Sequence, residues 1–141
     1  MEGSMKALSF LPLVLSAVLL LSGCTLTEKY SKNNAAAAAW ISANDRQPAA
    51  TNFEGVYYSP DWGIVALNQR DGKLTGSIAH FHITGIVSGK SAYALLVDDE
   101  WVEHTMILTR KSSEIVEGSY SSFVPYSKVD SLPVHLDRIV D

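Results

Sequence analysis

Trp62-Gly63-Ile64-Val65-Ala66-Leu67-Asn68-Gln69-Arg70-Asp71-Gly72-Lys73-Leu74-Thr75-Gly76-Ser77-Ile78 is the stretch that decides the fold. Two runs rich in apolar and β-branched residues flank Asp71-Gly72, a dipeptide suited to the two positive φ angles of a type I′ hairpin turn. A two-residue loop sets the register, opposing Arg70 to Lys73, Gln69 to Leu74, Leu67 to Gly76 and Val65 to Ile78. Side chains alternate across a strand, so Val65, Leu67, Leu74 and Ile78 share one face, the expected core face. The other face carries Ile64, Ala66, Asn68, Thr75 and Ser77, a mixture that predicts a sheet partly covered on both sides.

The same texture extends from Phe53 to the C-terminus, with turn residues recurring roughly every 8 to 12 residues, the pattern of an all-β sandwich or barrel. The reading places strands at Phe53–Tyr58, Trp62–Gln69, Lys73–His80, His82–Ser88, Ser91–Val97, Trp101–Arg110, Ile115–Ser121 and Pro133–Ile139. Gly55, Gly63, Gly76, Gly85 and Gly118 fall inside these runs, where glycine marks a bulge, a tight bend or a close backbone approach. Sequential hairpins, strong curvature and a last run able to pair with the first predict a small antiparallel meander barrel of about eight short strands.

Ahead of the barrel, residues 24–52 are rich in Ala, Ser, Asn, Thr and Lys and supply few anchors for a core, so they read as a flexible tether. Ala35 to Ala43 nevertheless suits a short helix, with Trp40 either docked on the barrel or loosely held. Met5-Lys6, the apolar run Ala7 to Leu21 and Leu21-Ser22-Gly23-Cys24 have the layout of an export signal over residues 1–23. The run is shorter than the roughly 20 apolar residues of a spanning helix and contains Pro12.

Leu21-Ser22-Gly23-Cys24 resembles the bacterial lipobox. That resemblance implies cleavage before Cys24, diacylglycerol on its thiol, and a mature chain of 141 − 23 = 118 residues held to an envelope membrane. Thr25 after the cysteine resembles the pattern of lipoproteins sent to the outer membrane, facing the periplasm. Gly55-Val56-Tyr57-Tyr58, Trp62 to Gln69 and Leu74-Thr75-Gly76-Ser77 resemble the opening hairpins of small lipocalin-like barrels. This second resemblance, over Phe53 to Ser121, implies a barrel fold and a cavity, while the strand reading sets the β-barrel-like domain at residues 53–141.

Composition narrows the function classes. The net charge is −4 with basic residues scattered, so the footprint of a nucleic-acid partner is missing. Cys24 is the single cysteine, which excludes an intramolecular disulfide and, once acylated, leaves no thiolate for redox or metal chemistry. No GxSxG, phosphate-cradling loop or HExxH occurs, and neither an enzyme nor a cofactor is expected.

His80 and His82, two apart on one predicted strand, share a face by parity with Ile78 and are weak metal candidates, with His104 or Glu103 as a third ligand. A hydrogen-bonded or solvated strand-end position suits them better, as a solvated acidic turn suits Asp98-Asp99-Glu100. Trp62, Tyr93 and Trp101 fit a ligand pocket or, for the two tryptophans more readily, a packed core. Phe123 and Tyr126 sit in a loop before the last strand, where a surface contact is expected. The leading expectation is a non-enzymatic lipoprotein that binds a small apolar ligand or envelope component. The second is a structural or protein-interaction module of the envelope with a filled core, and an interior cavity discriminates the two.

Overall fold

The structure is a computed structural model that describes residues 31–139, so the expected signal segment and Cys24 lie outside the described residues. Eight antiparallel strands follow one another: β1 (Gly55–Ser59), β2 (Gly63–Arg70), β3 (Lys73–Ile78), β4 (Phe81–Ser88), β5 (Ser91–Asp98), β6 (Trp101–Arg110), β7 (Ile115–Ser121) and β8 (Ser131–Arg138). Each pairs with its neighbour in sequence, and β8 returns to β1 through Tyr57 opposite Arg138 and Tyr58 opposite Asp137, closing the barrel. The β2–β3 hairpin has the register derived from its turn, and Asp71 and Gly72 take φ of 53° and 76°.

One side of the barrel wall faces a single continuous core. Val65, Leu67, Leu74 and Ile78 meet Ile83, Ala94, Leu96, Met106, Leu108, Val116 and Leu136 there, with Phe53 and Tyr57 fully buried among them. An eight-stranded barrel has an interior just wide enough for side chains to fill. Small residues on the inner register let the wall curve around the large ones. At Gly85 and Gly118 an added Cβ would overlap the carbonyl oxygens of Tyr93 and Ile107 on the adjacent strands, so no other residue fits.

Two expectations require correction. The β3–β4 connection is the two-residue turn Ala79-His80, with Ala79 at φ 51° and Ile78 paired with Phe81. A break was expected at Phe81, because Ala-His lacks the Gly, Asn or Asp that marks a left-handed position. The shift by one residue reverses the parity: Phe81 and Ile83 point in, and His82 lies on the outer face opposite Ser77 and Val97. His80 and His82 therefore share no inward face.

The second concerns residues 31–52, the described part of the stretch read as a tether, residues 24–30 lying outside the described residues. Residues 31–44 are helical, and the compact unit runs Asn33–Asp141, not from residue 53. Ala37, Trp40 and Ile41, spaced i, i+3, i+4, form an apolar stripe against Leu95, Val97 and Val102 on the outside of β5 and β6 and against Val124 of the β7–β8 loop. Ala37 is fully buried. Alanine provides the propensity, but a helix this short needs its packed face to persist in water. Its last turn is closed by Asn44 Nδ2 donating to Trp40 O at 2.8 Å and by Arg46 Nε donating to Ala43 O at 2.8 Å. The two-sided cover read from the first hairpin is thus found on β5 and β6, whereas Ile64 on β2 stays exposed.

Candidate functional site

The barrel has two ends, and their chemistry differs. One end, at the β2–β3, β4–β5 and β6–β7 turns, is crossed by residues 45–54. Ser88 Oγ accepts from the amides of Arg46 and Gln47 at 3.1 and 3.0 Å, and Ala50 N donates to Gly89 O at 2.7 Å. Gln69 then grips the strap with both amide atoms: its Oε1 accepts from Phe53 N at 2.8 Å and its Nε2 donates to Thr51 O at 2.9 Å. Arg110 donates to Asn52 O, Ser112 O, Ser113 O and the Tyr57 hydroxyl, while Tyr57 donates to Phe53 O at 2.8 Å. Arg138 donates to Glu54 O at 2.6 Å, and its guanidinium lies 5.8 Å from the Tyr57 ring centre. Phe53, held by these bonds, closes this end as a buried plug.

Gln69, Arg110 and Arg138 continue the inward registers Val65-Leu67, Met106-Leu108 and Val134-Leu136, so polar residues on a core parity were the legible signal for this latch. Surface depressions flank it, including one of about 560 Å³ lined by Glu54, Asn68, Gln69, Arg70, Asp71, Lys73 and Thr75. It is open to solvent and sits on the outer face of β2 and β3. Both amide atoms of Gln69 there are already engaged by the strap.

The other end, formed by the β1–β2, β3–β4, β5–β6 and β7–β8 connections, is closed by aromatic rings. Trp62 packs edge-on to Tyr120 at 5.0 Å and to Phe81 at 6.1 Å between ring centres, and His104 lies 5.1 Å from Phe81 and 5.8 Å from Tyr120. Edge-to-face contacts at these distances are favourable for rings that carry a quadrupole. His104 shares the inward parity of Met106 and Leu108 and opposes Leu96, and a bulge at the Leu96–Val97 step, with Glu103 as the extra residue, then pairs Val102 with Val97 and turns it to the outer wall.

Trp62 Nε1 and His104 Nδ1 are buried and have no hydrogen-bond partner within the described residues. Burial lowers the His104 pKa from its ordinary 6.5, Glu103 opposes that shift, and the nearby His80 adds to it. His80 itself projects outward, with Nε2 at 3.7 Å from Asp98 Oδ2. Counting inward from Met106 and Leu108 is the sequence signal that identifies His104 as part of this cluster.

The five aromatic candidates fall in different places. Trp62 belongs to the ring cluster. Trp101 begins β6 opposite Asp98, half-buried on the same end. Phe123 is exposed in the β7–β8 loop, which wraps Ser121: the Ser121 Oγ accepts from the amides of Phe123 and Ser127 at 3.1 and 3.3 Å. Tyr93 and Tyr126 lie elsewhere, on the outer wall, edge-on and stacked against Trp40 at 5.7 and 6.1 Å, with the Tyr126 hydroxyl hydrogen-bonded to Ser119 Oγ. They anchor the helix and the loop to the barrel.

Among the described residues, no group of three or more His, Asp or Glu side chains is gathered for a metal ion, and no helix is long and apolar enough to cross a membrane. No family model, curated protein or solved structure matches the chain.

Proposed function

We propose that this protein is a lipid-anchored envelope lipoprotein that works as a non-enzymatic structural or interaction module, using its outer surface and not a cavity. The observation that carries the reading is the interior. Phe53, Tyr57, Leu67, Leu74, Ile78, Met106, Leu108 and Leu136 occupy the inner register with almost no exposure, and both ends are closed. A pocket for a drug-sized apolar molecule needs roughly 300–1,000 Å³ of concave, mostly apolar space. Opening that much space here would require displacing several buried side chains, each worth about 1.5–3 kcal/mol of burial. The anchor is carried by the lipobox-like Leu21-Ser22-Gly23-Cys24. Two or three acyl chains at about 0.8 kcal/mol per buried CH₂ hold a protein to a bilayer for its lifetime.

Two measurements test the reading. Titration with an environment-sensitive apolar fluorophore should give no saturable, stoichiometric binding; a one-to-one complex displaced by fatty acids would replace the module by a carrier. Fractionation should leave wild-type protein with membranes and Cys24→Ala in the soluble fraction. A Cys24→Ala protein that stays with membranes would remove the anchor from the proposal.

A further inference from the structure

The exposed apolar side chains of the barrel are not spread evenly. Seven large ones are exposed, and five of them, Tyr58, Ile64, Phe123, Val129 and Leu132, lie at or beside the ring-closed end. Tyr58 and Ile64 are cross-strand partners next to the β1–β2 connection, and Leu132 pairs with Tyr120 at the start of β8. Val129 is 95% exposed and Phe123 56%. Together they form an apolar crescent around the half-buried Trp62. Latched by Gln69, Arg110 and Arg138, the opposite end presents mainly polar and charged groups.

The chain also enters the folded unit at the ring-closed end. Asn34, in the first described turn of the helix, ties it there, donating from Nδ2 to Glu100 O at 2.9 Å and accepting on Oδ1 from Val102 N at 3.0 Å, beside the β5–β6 turn. The helix then runs along the wall, so that Arg46 reaches Ser88 at the far end. Cys24 is 34 − 24 = 10 residues before Asn34. At roughly 3.3–3.6 Å per residue the connection cannot exceed about 36 Å. An eight-residue strand is itself about 26 Å long. With a lipid on Cys24 the ring-closed end can rest on the bilayer while this connection stays slack, whereas bringing the latched end there would stretch it over most of its reach, at a cost in chain entropy.

From these placements we infer that the crescent of Tyr58, Ile64, Phe123, Val129 and Leu132 rests on the membrane surface, orienting the barrel with its latched end outward. The inference rests on the anchor proposed above. Aromatic and apolar side chains at a rim are what a bilayer interface accepts, with Tyr and Trp at headgroup level. Asp98-Asp99-Glu100 on the same end selects against anionic headgroups, so the surface is a zwitterionic one.

Because an acylated Cys24 leaves no free thiol, a single introduced cysteine can be labelled uniquely. The lipidated mature chain, its acylation checked by mass, would carry a fluorophore at Val129→Cys or, as the far-end reference, at Ser113→Cys, on phosphatidylcholine vesicles. Co-sedimentation with label 129 shielded several-fold from iodide, and label 113 as accessible as in solution, is the expected result. Adding Ile64→Asp and Phe123→Asp, both at exposed positions, should restore iodide access at 129 without releasing the protein. Co-sedimentation with equal access at both labels overturns the docked orientation, keeps the anchor and leaves the crescent to a protein partner. Failure to co-sediment overturns anchor and orientation together.

Discussion

The two ends of this barrel solve one problem in different ways. A closed barrel has no sheet edges, but its ends still expose the core, and each must be covered. At the latched end the chain covers itself: Phe53 fills the opening, and Gln69, Arg110 and Tyr57 pair with the backbone that delivers it. At the other end Trp62, Phe81, His104 and Tyr120 lean on one another and leave two buried nitrogens without a partner among the described residues. Hydrogen bonds to a fixed backbone give a rigid closure. Ring contacts without polar partners give one that tolerates change, and the exposed apolar side chains surround that end.

The contrast is broken most directly at Phe53. Phe53→Ala empties the plug and should cost about 3–5 kcal/mol, read as a lowered midpoint in urea unfolding. A loss under about 1 kcal/mol would mean that the strap, not the ring, seals the end. Gln69→Ala comes next, since it orphans Phe53 N and Thr51 O. The expected loss is about 1–3 kcal/mol, with faster hydrogen exchange at the Phe53 amide while the amides of β6 and β7 remain protected. If exchange quickened throughout the barrel, the latch would be part of the global fold and not a local closure.

The smallest effect belongs to the ring-closed end. His104→Phe removes an unpartnered polar atom, and at neutral pH it should raise stability by about 1 kcal/mol. It should also change the pH profile. The folded-state pKa of His104 lies below 6.5, so the folded protein resists the proton that the unfolded chain accepts. Wild-type stability is full above the unfolded value and falls as pH drops through it toward the folded value. His135 acts in the opposite sense. Hydrogen bonding to Asp137, aided by Glu117, raises its pKa, so its contribution is present below 6.5 and fades as pH rises through the folded value. Thermal unfolding between pH 5 and 8 should thus show a weaker acid-side loss in His104→Phe than in wild type. A stronger loss in the variant would place the acid sensitivity elsewhere.

Much of the wall was legible before any coordinates. Asp71-Gly72 carries its own turn geometry, and alternation places Val65, Leu67, Leu74 and Ile78 on one face because strand periodicity is a local property. The turn at Ala79-His80 was not legible, since neither residue prefers positive φ and the closure of β3 onto β4 imposes it. Of the candidate site, Trp62 reads from the sequence as a pocket or core residue and packs in the ring cluster against the core, but Tyr93 and Tyr126 are anchors for the helix through Trp40. Their role depends on contacts far apart in sequence, which no local pattern encodes.

The helix shows the same division. Ala35 to Ala39 determines that the segment can be helical, and the spacing of Ala37, Trp40 and Ile41 determines which face would be apolar. Only the closed barrel decides that this face meets Leu95 and Val102 on the outer wall and that Asn34 ties the helix to the ring-closed end. Strand order and the Asp71-Gly72 turn are written in neighbouring residues, where local propensity and alternation suffice. Which end is latched, which is ring-closed, and where the chain enters were decided by closure, which brings residues such as Phe53, Gln69 and Arg110 within hydrogen-bond reach.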